Sequence, residues 1–342
     1  MKALVYRGPG ALVVEERPKP HAGEGEVVLH VDACSICGTD LRVASGAHRA
    51  YANGLGRVPG HEVVGTVVEV GGDVGAKLGE QVFVAPNYGC GHCRACRRGL
   101  VNLCEDLRAI GITEDGAFAE YMLLRRDLVA QGNLIKLAPG VDPDEAALAE
   151  PLACALRGSR ACHTSQEDIV VVYGAGPIGL FHVCLARLAG AAAIIVCEPN
   201  AERRERALGF GATEAFGTDF GELRRAVGHD GADVVIVATS VASAQREALQ
   251  LAATSGRVNF FAGLPRDGSS VELDTNLVHY KELVVTGTTG STNESCRAAL
   301  DLIIDGQLKT APLISARMGL ASAQKAFDLA GSGQALKVVI EP

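Results

Sequence analysis

The chain has 342 residues, 48% hydrophobic and 21% charged, which is enough for two domains with a core each. Its formal net charge of −8 argues against nucleic acid or an anionic membrane as the main partner. The opening segment lacks a signal-peptide apolar core, and the longest apolar run, Leu188–Cys197, is about half of a membrane span, so a soluble cytoplasmic protein is expected.

The first predicted elements are short strands at Ala3–Tyr6, Leu12–Glu15 and Val27–Ala33, antiparallel in character and separated by Gly- and Pro-containing turns. Next comes Cys34-Ser-Ile-Cys37-Gly-Thr39-Asp40. A CxxC pair serves either redox exchange or half of a metal site, and no thioredoxin-like βαβ unit surrounds this one. Gly60-His61-Glu62 stands at the turn before an alternating strand, Val63–Val70. Cys37, His61 and Glu62 together offer the sulfur, nitrogen and oxygen donors that zinc accepts.

The chain has eleven cysteines, an odd count without an export signal, which favours metal binding or buried thiols over a disulfide framework. Four of them, Cys90, Cys93, Cys96 and Cys104, form a tight loop able to wrap one tetrahedral zinc. Four thiolates leave no open position, so this site is assigned to structure. An iron–sulfur cluster competes for the same cysteines, and His92 is a spare donor inside the loop.

A strand is predicted over Gly116–Leu124 and a helix start over Asp142–Ala149. Glu150 follows in the largely apolar run Asp144–Ala155, either as an exposed helix acid or as a group at or beside a metal. The run Ile169–Tyr173 then leads into Gly174, Gly176, Pro177, Ile178 and Gly179, an apolar helix to Leu188, a second apolar run, Ile194–Cys197, and Glu198. This is a dinucleotide turn. Its glycines permit a tight turn, approach to a pyrophosphate and close helix–strand packing, and the acid accepts from the ribose diol. The acid favours NAD over NADP. Arg203 and Arg204 are the alternative, as partners of a 2′-phosphate, although a solvated helix charge is the preferred reading of Arg204.

The alternation continues through helices Ala201–Leu208, Gly221–Val227 and Val241–Ala252. The strands lie near Ala215 and at Asp233–Ala238, Arg257–Phe261 and Leu283–Thr286. That makes a doubly wound sheet of about six parallel strands. Thr239, Gly263 and Gly287 lie at strand C-termini, either as nicotinamide neighbours or simply as turns. A helix over Ser291–Asp305, a linker, a helix over Ala321–Ala330 and a strand over Leu336–Ile340 close the chain. The last strand is free to return to the first domain.

Together, Cys37-Gly-Thr39-Asp40, Gly60-His61-Glu62, the four-cysteine loop and Gly174–Gly179 resemble the zinc-containing medium-chain dehydrogenases/reductases of the alcohol dehydrogenase superfamily, over essentially the whole chain. The resemblance implies an α/β protein. A GroES-like, mostly β catalytic domain would comprise residues 1–152 and 291–342, and a Rossmann NAD-binding domain residues 153–290. It implies two zinc ions per subunit. One is catalytic, on Cys37 and His61 with Glu62 and Glu150 as further or exchanging ligands, and the other is structural, on the four cysteines. Thr39 would be the hydroxyl beside the substrate oxygen.

Cys37 thiolate, neutral His61 and one glutamate neutralise a zinc ion, so one of Glu62 and Glu150 is expected on the metal at a time. Glu150-Pro151-Leu152 and the segment His279–Gly287 resemble sorbitol (L-iditol) and other polyol dehydrogenases, so the implied substrate is a polyol, cyclitol or sugar. L-Threonine or a sugar phosphate is the alternative, and a non-catalytic zinc and dinucleotide binder is the reading from another class. Relatives are dimers or tetramers. One departure stands out: many relatives carry a relay His where this chain has Arg42. A proton then leaves through water or His48, and Arg42 is placed to meet an anionic substrate.

Overall fold

The computed structural model describes residues 1–51, 56–265 and 267–342, and they fall into two units: Met1–Ala153 with Gly290–Pro342, and Cys154–Thr289. Among the described residues no helix is long and apolar enough to cross a membrane.

The first unit is built on a seven-stranded sheet. Its path runs Ile314–Gly319, Lys337–Glu341, Val27–Ser35, Glu62–Val70, Gln81–Val84 and Leu134–Lys136, and Tyr121–Leu124 pairs with the N-terminal half of Val27–Ser35. Val27–Ser35 is central and buried along most of its length, as its Val- and Leu-rich run requires. Leu29, Val31, Val63, Val67, Phe118 and Ile340 share its core.

The closing strand does return to this sheet, where Val339 pairs with Ser35 and Ile340 with Cys34. Two details differ from the expected elements. The segment read as a linker contains the strand Ile314–Gly319, parallel to Lys337–Glu341. The predicted strand over Gly116–Leu124 is regular only at Tyr121–Leu124. Its first half is tied instead to the turn before His61, through Gly116 N–H to Val58 O (2.7 Å) and Ala117 N–H to Gly60 O (3.0 Å).

The second unit carries six parallel strands in the order Glu214–Phe216, Ala193–Cys197, Ile169–Tyr173, Ala232–Val237, Ala252–Phe260 and Val284–Gly287. This is the doubly wound order whose switch point lies at the strand C-termini beside the first βα turn. Helices Pro177–Leu188, Ala201–Phe210, Phe220–Ala226, Ala242–Leu251 and Thr275–Tyr280 alternate with the strands. On the helix Pro177–Leu188, His182 is buried with both ring nitrogens unpartnered, and its ring meets Phe261 edge-on at 4.9 Å. Burial presses it to the neutral form, with a pKa of about 3.

Candidate metal centres and dinucleotide site

Three strand ends of the first unit converge on one spot. Val27–Ser35 ends just before Cys37, which caps the helix Gly38–Ala44. Glu62–Val70 begins right after His61, with Glu62 in register opposite Ser35. Lys337 opens the third strand. The register therefore brings Cys37, His61 and Glu62 together, with one ligand atom of each within 4.8 Å of the others.

Asp40 organises the cluster. It is fully buried, accepts from the N–H groups of Cys37 (2.9 Å) and Gly60 (3.2 Å), and lies 3.6 Å from His61 Nδ1. Burial presses His61 toward neutrality, but the Asp40 carboxylate outweighs it and holds the imidazole well above its usual value. Glu62 is 0% exposed. One carboxylate oxygen takes bonds from Ser35 and Lys337, while the other, Oε1, is buried without a partner. An orphaned buried carboxylate oxygen beside a thiol and an imidazole is what a divalent cation would satisfy, so the residues fit zinc.

Lys337 is the group that the sequence reading misses. It is 3% exposed and donates to Glu62 and to Ile36 O (2.9 Å). Burial opposes its charge, but Glu62, with Cys37 and Asp40 adding to it, keeps it an ammonium. The charge balance expected from the ligands alone changes accordingly, because Glu62 arrives already paired. The available signal was a lone Lys at the head of an otherwise apolar strand.

Glu150 is no exposed helix acid: it is 6% exposed and accepts from Ser291 Oγ at 2.7 Å. It lies outside the three-residue cluster, near enough that its charge opposes ionisation of Glu62. Thr39 stands in the first turn of Gly38–Ala44, and its Oγ accepts from Arg42 Nη2 at 3.0 Å.

The four-cysteine loop forms a second cluster. One ligand atom each of Cys90, Cys93, Cys96 and Cys104 lies within 4.8 Å of the rest, His92 is outside it, and all four thiols are free. Backbone N–H groups point at the sulfurs: Cys90 to Cys104 (3.3 Å), Cys93 to Cys90 (3.4 Å) and Cys96 to Cys93 (3.4 Å). The bond from Cys96 holds the Cys93 thiol down to about 7, toward the thiolate a metal needs. A Cβ on Gly89 would overlap Cys96 Sγ, so only glycine lets the sulfurs converge. This donor set suits zinc in a closed site.

In the second unit, Gly174 turns the chain with φ +98° after Ile169–Tyr173, and Gly176 caps the helix whose first residues are Pro177 and Ile178. A Cβ on Gly179 would sit inside the Gly174 carbonyl, which is the close helix–strand packing expected of the third glycine. Nothing lies within 4 Å of where a Gly176 Cβ would be, leaving room for a pyrophosphate. Glu198 is buried and braces the turn, accepting from Ala175 N–H (2.8 Å) and Asn200 N–H (3.1 Å).

Arg204 is not a solvated helix charge. Its Nη1 donates to the carbonyls of Glu198 and Pro199, each at 2.8 Å, because the side chain folds back over the turn that precedes its helix. The half-buried Arg203 lies one residue earlier, and its N–H is capped by Asn200 Oδ1. Thr239, Gly263 and Gly287 all fall at or just past C-terminal ends of parallel strands, with Thr239 against Gly174.

Residues 23–134 match the alcohol dehydrogenase GroES-like domain family, and residues 177–305 the zinc-binding dehydrogenase family. The L-threonine 3-dehydrogenase of Pyrococcus horikoshii is 35% identical, covering 99% of this chain and 98% of its own. The chain is a zinc-type medium-chain dehydrogenase/reductase of the alcohol dehydrogenase superfamily. Its GroES-like part joined to a Rossmann sheet follows that superfamily's fold, and it is an oxidoreductase.

Two crystal structures are similar over 100% of this dehydrogenase and 99% of their own chains, each with a TM-score of 0.91. One, from Sinorhizobium meliloti, is assigned as a zinc-binding dehydrogenase bound to NADP and is 34% identical. The other is an alcohol dehydrogenase from E. coli CFT073 complexed with NADH and is 29% identical.

Proposed function

We propose that this dehydrogenase oxidises a secondary alcohol of a polyol, cyclitol or sugar to a ketone with NAD, using a catalytic zinc on Cys37, His61 and Glu62. The unpartnered, buried Oε1 of Glu62, on a carboxylate that clusters with the half-buried Cys37 thiol and the buried His61 imidazole, carries the reading. Zinc there would supply Lewis acidity to the substrate oxygen, and NAD would accept the hydride.

The chain's own groups set the conditions. Asp40 fixes Cys37 through its N–H and steadies His61. Thr39 Oγ, accepting from Arg42, keeps its own hydrogen to donate to a substrate oxygen. With a metal bound, the Cys37 thiolate, Asp40 and Glu62 would face the Lys337 ammonium, and the surplus of two negative charges complements one divalent ion. Glu150, held by Ser291, is then a reserve carboxylate beside the ligand set. Cys90, Cys93, Cys96 and Cys104 hold a structural zinc, and Gly174–Gly179 with Glu198 hold NAD in preference to NADP.

A second reading, L-threonine oxidation, is favoured by the Pyrococcus relative. The test screens polyols, cyclitols, sugars and L-threonine with NAD and NADP by absorbance, alongside Cys37→Ser. Loss of turnover together with loss of one zinc per chain is expected. Full activity with only the four-cysteine zinc retained would overturn the assignment.

A further inference from the structure

Arg42 is exposed, and one of its five N–H donors is bonded, to Thr39 Oγ at 3.0 Å. Among the described residues it makes no ion pair, and neither does the exposed Arg49. The nearest carboxylate along the chain, Asp40, is fully buried and committed to Cys37, Gly60 and His61. Arg42 and Arg49 both lie near enough to His48 for their charges to act on it. His48, whose N–H bonds Arg42 O at 3.1 Å, is pushed down first by burial and then by both guanidinium charges. In a chain of net charge −8, this is a local concentration of positive charge whose nearest carboxylate along the chain, Asp40, is already committed, and it stands beside the hydroxyl proposed to meet the substrate.

A guanidinium cannot accept a proton, so Arg42 is not an acid–base relay for Thr39. Its fixed charge and remaining fork of donors match a carboxylate or a phosphate bidentately. We infer that Arg42 selects substrates carrying such an anion close to the reacting hydroxyl. The inference rests on the dehydrogenase reading above and selects among its substrate readings the anionic ones: acid or phosphate derivatives of polyols and sugars, and the amino acid of the second reading. Since one end of the fork is on Thr39, the anion lies about one guanidinium width away, roughly one or two carbons from the carbinol carbon. Sugar acids, hydroxy or amino acids, and polyol phosphates meet this condition, and uncharged polyols do not.

The experiment uses the full-length zinc-loaded enzyme with Arg42→Gln, which keeps a donor for Thr39, and Arg42→Lys, which keeps the charge without the fork. Matched substrates differ only in charge: L-threonine against its amide, a sugar acid against the sugar alcohol, a polyol against its phosphate. The anionic member of one pair is expected to have the higher kcat/KM. That preference should fall about tenfold or more in Arg42→Gln, chiefly through KM, and less in Arg42→Lys. The pair that responds distinguishes carboxylate from phosphate.

Calorimetric titration of acetate and inorganic phosphate into the enzyme with NADH gives a readout free of turnover. Affinity for one of them should drop about tenfold in Arg42→Gln. Equal affinities in wild type and variant, or a preference for the neutral members that the variant leaves unchanged, would overturn the role of Arg42 alone. Anion binding through Arg42 with no turnover of any alcohol would instead overturn the dehydrogenase reading and leave this one standing.

Discussion

Replacing Lys337 with Met keeps most of the apolar stem and removes the ammonium. Among the chain's own groups, Glu62 would then be a fully buried carboxylate held by Ser35 alone, and Ile36 O would lose its donor. Removing one partner of a buried pair costs about 3–5 kcal/mol. With a urea m-value of about 2 kcal/mol/M, the midpoint for the first unit should fall by about 2 M. The assay is urea unfolding at neutral pH, with free zinc buffered equally for wild type, Lys337→Met, Glu62→Gln and the double variant. If the pair acts as a unit, the double variant recovers part of the loss, with a coupling of about 2 kcal/mol. A loss under about 1 kcal/mol for Lys337→Met, or strict additivity, would refute the argument that Lys337 compensates Glu62.

Three further outcomes are expected. His182, ordinarily near 6.5, is pressed to about 3 in the fold by burial, so the folded state favours the neutral ring. Its contribution is complete above about pH 6.5 and is lost as pH falls toward 3, at about 1.4 kcal/mol per pH unit. Urea midpoints of wild type should therefore drop between pH 7 and 4.5 more steeply than those of His182→Leu, and equal slopes would clear His182 of that role. Cys96→Ser should lower zinc from two to one per chain by metal analysis without touching the Cys37 cluster; retention of both ions counts against the closed site. Glu198→Gln should cut the kcat/KM preference for NAD over NADP by about tenfold, and an unchanged ratio removes the ribose contact.

The strands of the second unit were legible because parallel strands buried on both faces read as unbroken apolar runs, such as Ile169–Tyr173 and Ala193–Cys197, set off by glycine turns. The two side-chain clusters that could hold metal were legible because cysteine spacing, and a His next to a Glu, carry chemistry within short windows. What stayed hidden depends on pairing between distant segments. Ile314, Ala316 and Met318 do alternate, but the strand is short and sits at the edge, so the run looks like a linker. The Lys337–Glu62 pair and the Ser291–Glu150 bond each join residues far apart in the chain, and no local pattern announces them. Gly116–Phe118 reads as strand by composition, yet its donors serve the turn before His61.

The sheet of the first unit draws on chain that lies on both sides of Cys154–Thr289. A ribosome therefore delivers Val27–Ser35 and Glu62–Val70 long before their partner Lys337–Glu341. The second unit has all its strands in hand earlier and can mature first, reversing the usual N-to-C order of domain folding. Until that last strand emerges, Glu62 lacks the ammonium that pairs with it in the finished fold.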